Sequence, residues 1–142
     1  YATAGGPPNV ARIDKFPFSS DTNSTYIADI TQTRRVAGGT FSTTHGYTSG
    51  GGDPLGPVFF SDVIDRFPFA IDENALDVGD LSVGRRTVNG VSSSTHGYTI
   101  GGAASGTPHV NIIDKFLFAA TANATDVGDL TQARIDPSGN QG

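Results

Sequence analysis

Three aspartate–arginine sets recur along the chain: Asp14 with Arg34, Asp65 with Arg85, and Asp114 with Arg134, each accompanied by a further carboxylate at Asp29, Asp80 or Asp129. A carboxylate beside a guanidinium can move protons, hold a cation or form a charge pair that orders a scaffold. Catalysis usually needs one asymmetric site, whereas these residues are copied in every unit. The preferred expectation is that each arginine pairs with carboxylates between strands or neighbouring units, because a buried charge requires a partner. No catalytic residue is assigned, and no cofactor is expected.

Other polar groups give weaker signals. Asp72, Glu73, Asn74, Asp77 and Asp80 form the densest run of oxygen donors. Hard cations take such ligands, but the spacing is not that of an EF-hand and a solvated acidic turn is the simpler account. His45 and His96 occupy equivalent positions, while His109 stands alone in a variable segment. One histidine per unit without any cysteine is sparse for a metal site, so a hydrogen-bonding role is expected and no metal site is assigned. Asn23-Ser24-Thr25 and Asn123-Ala124-Thr125 fit the glycosylation sequon, although turn chemistry already accounts for both asparagines. No nucleophile elbow or phosphate-cradling loop occurs.

The elements that must position these residues repeat with a period near 50. Ile13-Asp14-Lys15-Phe16-Pro17-Phe18 returns as Ile64-Asp65-Arg66-Phe67-Pro68-Phe69, and again as Ile113-Asp114-Lys115-Phe116-Leu117-Phe118. Self-similarity at this spacing marks units that cannot bury their apolar faces alone and must stack on neighbours. The boundaries fall at about 1–37, 38–88 and 89–142, within a single repeat domain.

Each unit carries a strand at the Ile-Asp motif, with apolar residues on both of its faces, as in a strand sandwiched between sheets. A polar turn ending in Asn23, Asn74 or Asn123 follows, and a second strand runs on to Arg34, Arg85 or Arg134. Gly38-Gly39 and Asn89-Gly90 then read as turns. After them, Phe41 to Tyr47 and Val91 to Tyr98 read as polar Ser/Thr strands suited to the wall of a solvated channel. Gly50-Gly51 and Gly101-Gly102 end these strands, where close backbone approach or positive φ is needed.

A period near 50, a strand closing on Gly-Gly, an apolar-Asp pair some ten residues later and an arginine opening the next strand together resemble kelch repeats, the blades of a β-propeller. The wording His-Gly-Tyr-Thr-Ser/Ile-Gly-Gly with Asn-Ala-Thr-Asp-Val-Gly-Asp-Leu is similar to kelch-like arrays in predicted proteins of marine phages and bacteria. The kelch tryptophan has no counterpart: Ser24, Ala75 and Ala124 stand near its place, and the early Asn89-Gly90 turn leaves room for three or four strands per blade. The resemblance implies an all-β fold of about three blades on a virion or cell surface. Propellers typically need four to eight blades, so other chains or a longer parent chain would complete the ring. Tyr1–Gly6 aligns with Gly46–Gly51, and the segment from Pro137 departs from the repeat. The absence of methionine fits a processed or partial chain.

Composition narrows the partners. A net charge of −5 with scattered basic residues argues against a nucleic-acid surface, and no apolar run is long enough to enter a membrane. Cysteine is absent, so thiolate chemistry and disulfides are excluded for these residues. Binding is expected in the unequal segments between Gly-Gly and the Ile-Asp strand: Pro7–Arg12, Asp53–Val63 and Ala103–Ile112. Candidate contact residues are Tyr47, Phe59, Phe60, Tyr98 and His109, with Phe59, Phe60 and Tyr47 forming an apolar or sugar-stacking patch. Phe59 and Phe60 could equally plug the space between units. The expected function is a non-enzymatic structural and binding module that contacts other copies or proteins of one assembly. A carbohydrate-binding module is the alternative, and a propeller glycosidase or oxidase is the last.

Overall fold

The structure, a computed structural model, describes residues 1–6, 8–56 and 59–140. Pro7 of the first unequal segment, Pro57 and Val58 of the second, and Gln141 and Gly142 of the tail lie outside the described residues. The described residues fold as β-strands and turns without a helix, so none of them offers a helix able to cross a membrane.

The strands in chain order are β1 (Ala2–Thr3), β2 (Val10–Lys15), β3 (Thr25–Arg34), β4 (Gly38–Phe41), β5 (His45–Ser49), β6 (Val63–Pro68) and β7 (Leu76–Asp80). They continue as β8 (Arg85–Arg86), β9 (Asn89–Ser92), β10 (His96–Ile100), β11 (Ala103–Ala104), β12 (Ile112–Leu117) and β13 (Thr125–Asp129). Neighbouring strands pair antiparallel in three main sheets: β1-β2-β3, β4-β5-β6-β7 and β9-β10-β12-β13. β8 and β11 add a two-stranded ribbon. None of the sheets closes on itself.

Short strands joined by polar turns follow from the alternation of the Ile-Asp motif and from asparagine at the turns. In each sheet the register slips beside that motif, at Ile13/Asp14, between Val63 and Asp65, and at Ile113/Asp114. A bulge bends the strand and re-aims a side chain. In the second and third sheets it sits where Asp65 and Asp114 face the arginine of the preceding sheet.

The core lies between sheets. Ile13, Ala28 and Ile30 of the first sheet pack against Phe67 and Ala75 of the second. Tyr47, Ile64, Val78 and Leu81 of the second pack against Phe116 and Phe118 of the third. The second sheet therefore gives one face to its predecessor and the opposite face to its successor, while the first and third are each covered on one face.

Several sequence expectations change. The second and third sheets have four strands, because the Ser/Thr stretch folds as a hairpin instead of one strand. Ser42 Oγ accepts from the backbone N–H of His45 at 3.0 Å, and Ser93 Oγ does the same for His96. These serines turn the chain without glycine or proline. Gly38-Gly39 and Asn89-Gly90 are not turns but parts of β4 and β9. Glycine is needed at position 90 because the two strands touch: a side chain there would overlap the Gly39 carbonyl.

The expected channel wall is likewise a buried contact. Thr48, Ser49 and Thr99 are closed to solvent, and their hydroxyls pair between sheets: Thr3 with Thr48 at 2.7 Å and Ser49 with Thr99 at 2.6 Å. This pairing also moves the alignment of the first residues by one position. Thr3 matches Ser49, Tyr1 matches Tyr47, and Ala4 (φ 59°) stands where Gly50 (φ 63°) and Gly101 (φ 60°) stand. The segment from Asp136 follows the repeat as well. Asp136 donates its N–H to the Thr87 carbonyl at 2.8 Å, as Thr87 does to Val36 at 2.9 Å. Val36, Thr87 and Asp136 share φ values of 54°, 55° and 46°.

Candidate functional site: the junctions between sheets

The repeated charges meet across sheet boundaries. Arg34 reaches Asp65 of the next sheet at 2.7 Å, and Arg85 reaches Asp114 at 2.7 Å, with all four side chains fully buried. Arg34 also donates to the Thr48 carbonyl at 3.0 Å, and Arg85 to the Thr99 carbonyl at 2.9 Å. Burial is the main influence on both partners of the first pair: it raises the Asp65 carboxyl, opposed by Arg34 and Thr31, and lowers the Arg34 guanidinium, opposed by Asp65. Burial lowers Arg85 in the same way.

The two junctions differ in their polar complement. Asp65 accepts from the Thr31 hydroxyl at 2.7 Å and the Thr31 N–H at 3.2 Å. Apart from Arg85, Asp114 accepts the N–H of Ser82 at 3.1 Å but no hydroxyl, and its Oδ1 lacks a partner. Arg34 also reaches the Ser61 hydroxyl at 3.0 Å, where the third sheet has Val110. The same ion pair is thus better supported in the first junction.

Aromatic side chains form a second layer. Tyr1 stacks on Phe69 and Tyr47 on Phe118, both at 4.8 Å between ring centroids. The Tyr1 hydroxyl donates to the Phe69 carbonyl at 3.3 Å and that of Tyr47 to the Phe118 carbonyl at 3.0 Å. An asparagine clasp completes the pattern at the outer strands. Asn74 Oδ1 accepts the Asp29 N–H at 3.0 Å, and Asn123 Oδ1 accepts the Asp80 N–H at 3.1 Å. The repeated asparagines therefore join sheets as well as ending turns.

Both end faces carry matching halves of these contacts. On the third sheet Tyr98 is half-buried, and Arg134 is exposed, its Nε donating only to the Gln132 carbonyl. On the first sheet Asp14 is half-buried without an ion-pair partner among the described residues, while Phe16 and Phe18 are 39% and 95% exposed. Asn23 is exposed too. A cleft of about 450 Å³ opens beside Tyr1 and Thr3, walled by Phe18, Phe41, Phe67 and Phe69.

The proposed loop patch separates into different environments. Tyr47 is 2% exposed and its ring lies against Phe116 and Phe118, so it cannot join an accessible patch with Phe59 and Phe60. Phe59 and Phe60 instead meet edge to face at 4.8 Å, with the Arg86 guanidinium 4.4 Å from the Phe59 ring. Phe59 is exposed and Phe60 half-buried. His109 is exposed on the loop before β12. His45 and His96 begin β5 and β10, each with Nδ1 2.8 Å from the hydroxyl of the preceding threonine.

Asp72 of the acidic run pairs with Lys15 at 3.2 Å, and Asn74 serves the clasp. Among the described residues no group of three or more His, Asp or Glu side chains is placed to hold a metal ion. Gly51 and Gly102 donate N–H groups to the Arg85 and Arg134 carbonyls at 2.9 and 2.8 Å, with φ of 90° and 104°. Sequence reasoning singled out the Asp and Arg residues but missed Tyr1, Thr3, Thr48 and Thr99. For Thr48 and Thr99 a signal was available in the repeated Tyr-Thr dipeptide, whereas Tyr1-Ala2-Thr3 lacks it.

Compared with protein-family models and with curated proteins, the sequence matches none.

Proposed function

We propose that this chain is a run of β-propeller blades acting as a non-enzymatic structural and binding module through protein–protein contacts. The observation that carries this reading is the repeated use of the chemistry-bearing residues as junction fasteners: Arg34 with Asp65 and Arg85 with Asp114 are sealed from solvent between successive sheets. A four-stranded antiparallel sheet that offers different faces to predecessor and successor is the form of a propeller blade. The surface or virion setting rests on the resemblance of the repeat wording to phage and bacterial arrays.

Cryo-electron microscopy of the purified protein tests the fold. The expected result is four to eight blades around a common axis. Sheets stacked as a straight rod would overturn it. Turnover of glycosides or oxidisable substrates by the pure chain would overturn the non-enzymatic reading.

A second reading, glycan binding, is favoured by one feature: exposed Phe59 beside Arg86 on an unequal segment. An aromatic ring next to a fixed donor suits a sugar face. Selective glycan-array binding that disappears in Phe59→Ala would establish it, and no binding above background would remove it.

A further inference from the structure

We propose that the forward face of the third sheet docks onto the rear face of the first sheet of a second copy, repeating the internal junction between molecules. The inference rests on the propeller reading and adds the partner and the contacts.

Each internal junction joins the same equivalent residues. Tyrosine stacks on the second phenylalanine of the Phe-x-Phe motif, arginine pairs with aspartate, and asparagine clasps the outer strand. The forward halves left on the third sheet are Tyr98, Arg134 and the Asp129 N–H; the rear halves on the first are Phe18, Asp14 and Asn23. Thus Arg134 would meet Asp14, Tyr98 would cover Phe18, and Asp129 would be clasped by Asn23. The charges are complementary, and Phe18, 95% exposed, gains the cover that Phe69 and Phe118 already have.

The backbone leads to the same partner. In the second sheet β4 pairs with β5, Thr40 opposite Tyr47, and in the third β9 pairs with β10, Val91 opposite Tyr98. In the first sheet the edge of β1 away from β2 is unpaired among the described residues, and the aromatic cleft lies there. Residues 136–139 run along β9 as residues 87–90 run along β4, with a side chain at Gly139 set to overlap the Gly90 carbonyl as one at Gly90 would overlap that of Gly39. Carried across copies, this places Ser138 opposite Thr3, Gly139 opposite Ala2 and Asn140 opposite Tyr1. An added strand fills the cleft and gives β1 a hydrogen-bonded neighbour.

The absence of cysteine makes a direct test available. Thr3→Cys and Ser138→Cys copies, mixed and oxidised, should form a covalent heterodimer, because directly paired strand residues lie within disulfide reach. Either variant alone should not cross-link, since the contact joins unlike faces. Sedimentation of the unmodified chain should show association, weakened at least tenfold by Phe18→Ser or Arg134→Ala, with thermal midpoints unchanged when read at concentrations low enough to dissociate the chains, because both side chains are exposed there. Leu55→Ser, at another exposed site, should leave association intact. A single 14.7 kDa species up to about 100 μM, where a ~10 μM complex would be evident, or cross-linking as strong with Leu55→Cys in place of Ser138→Cys, overturns the proposal. Those outcomes reject a second copy as partner. The propeller reading fails on a separate observation, sheets that do not fan around an axis.

Discussion

Arg34 and Asp65 belong to different sheets, yet their side chains meet at 2.7 Å with neither in contact with solvent. Removing one partner strands the other charge in the junction, a change that costs about 3–5 kcal/mol, whereas replacing both by apolar groups of similar size is often neutral. Arg34→Met alone should therefore lower stability by roughly that amount. Arg34→Met with Asp65→Leu should recover most of it. Urea unfolding of the wild type, both singles and the double variant checks the coupling.

The second junction leaves room for improvement. Thr31 gives Asp65 a hydroxyl hydrogen bond, while Asp114 Oδ1 has no partner opposite Ser82. Threonine has a stiffer side chain than serine. Ser82→Thr should bring its hydroxyl to Asp114 Oδ1 and stabilise the protein by about 1 kcal/mol. The same substitution in an Asp114→Ala background should show no gain, as measured by the shift in urea midpoint.

Gly97 sits directly opposite Phe116 in the strand register. A methyl group there would overlap the Phe116 ring, and the same relation holds between Gly46 and Phe67. Gly97→Ala should cost about 1–3 kcal/mol, the range for overpacking a filled core. Adding Phe116→Leu should relieve part of the loss, which a double-mutant cycle by thermal unfolding reads directly.

Burial, helped by the Arg66 guanidinium, holds the His45 imidazole below its ordinary value of 6.5. A base with a lowered folded value favours the folded state while it is neutral. The stability tied to it is present above pH 6.5 and declines as pH falls through the folded value. Between about pH 7.5 and pH 5, spanning the histidine range, the wild type should lose more thermal stability than His45→Gln. An NMR titration should place the His45 transition below 6.5.

The all-β class was legible because Ile-Asp-x-Phe-x-Phe alternates like a doubly covered strand, and Asn23, Asn74 and Asn123 break it on schedule. The pairing of arginine with aspartate was legible as chemistry, but not the rule that the partners belong to successive units. Other features were hidden because unusual residues occupy the decisive positions. Val36, Thr87 and Asp136 take positive φ without being glycine, and Ala4 does so where the other units use glycine. Reading the double glycine as a fixed marker therefore shifted the alignment at Tyr1. The hairpins before His45 and His96 were missed because serine hydroxyls make those turns. The junction role of Tyr47 was also unreadable, since one sequence cannot show that Phe118 lies over its ring.

Bonded partners straddle the boundary between units, as Arg85 and Asp114 do. Duplication or deletion of one whole unit of about 50 residues would leave every surviving junction with a donor and an acceptor of the same kind. A recombination event could change the length of the array without creating an orphaned charge. A single-residue change has no such freedom, because its counterpart stands in the neighbouring unit and must change with it. Whole units would thus be exchangeable in number, while the fastening residues are constrained two at a time.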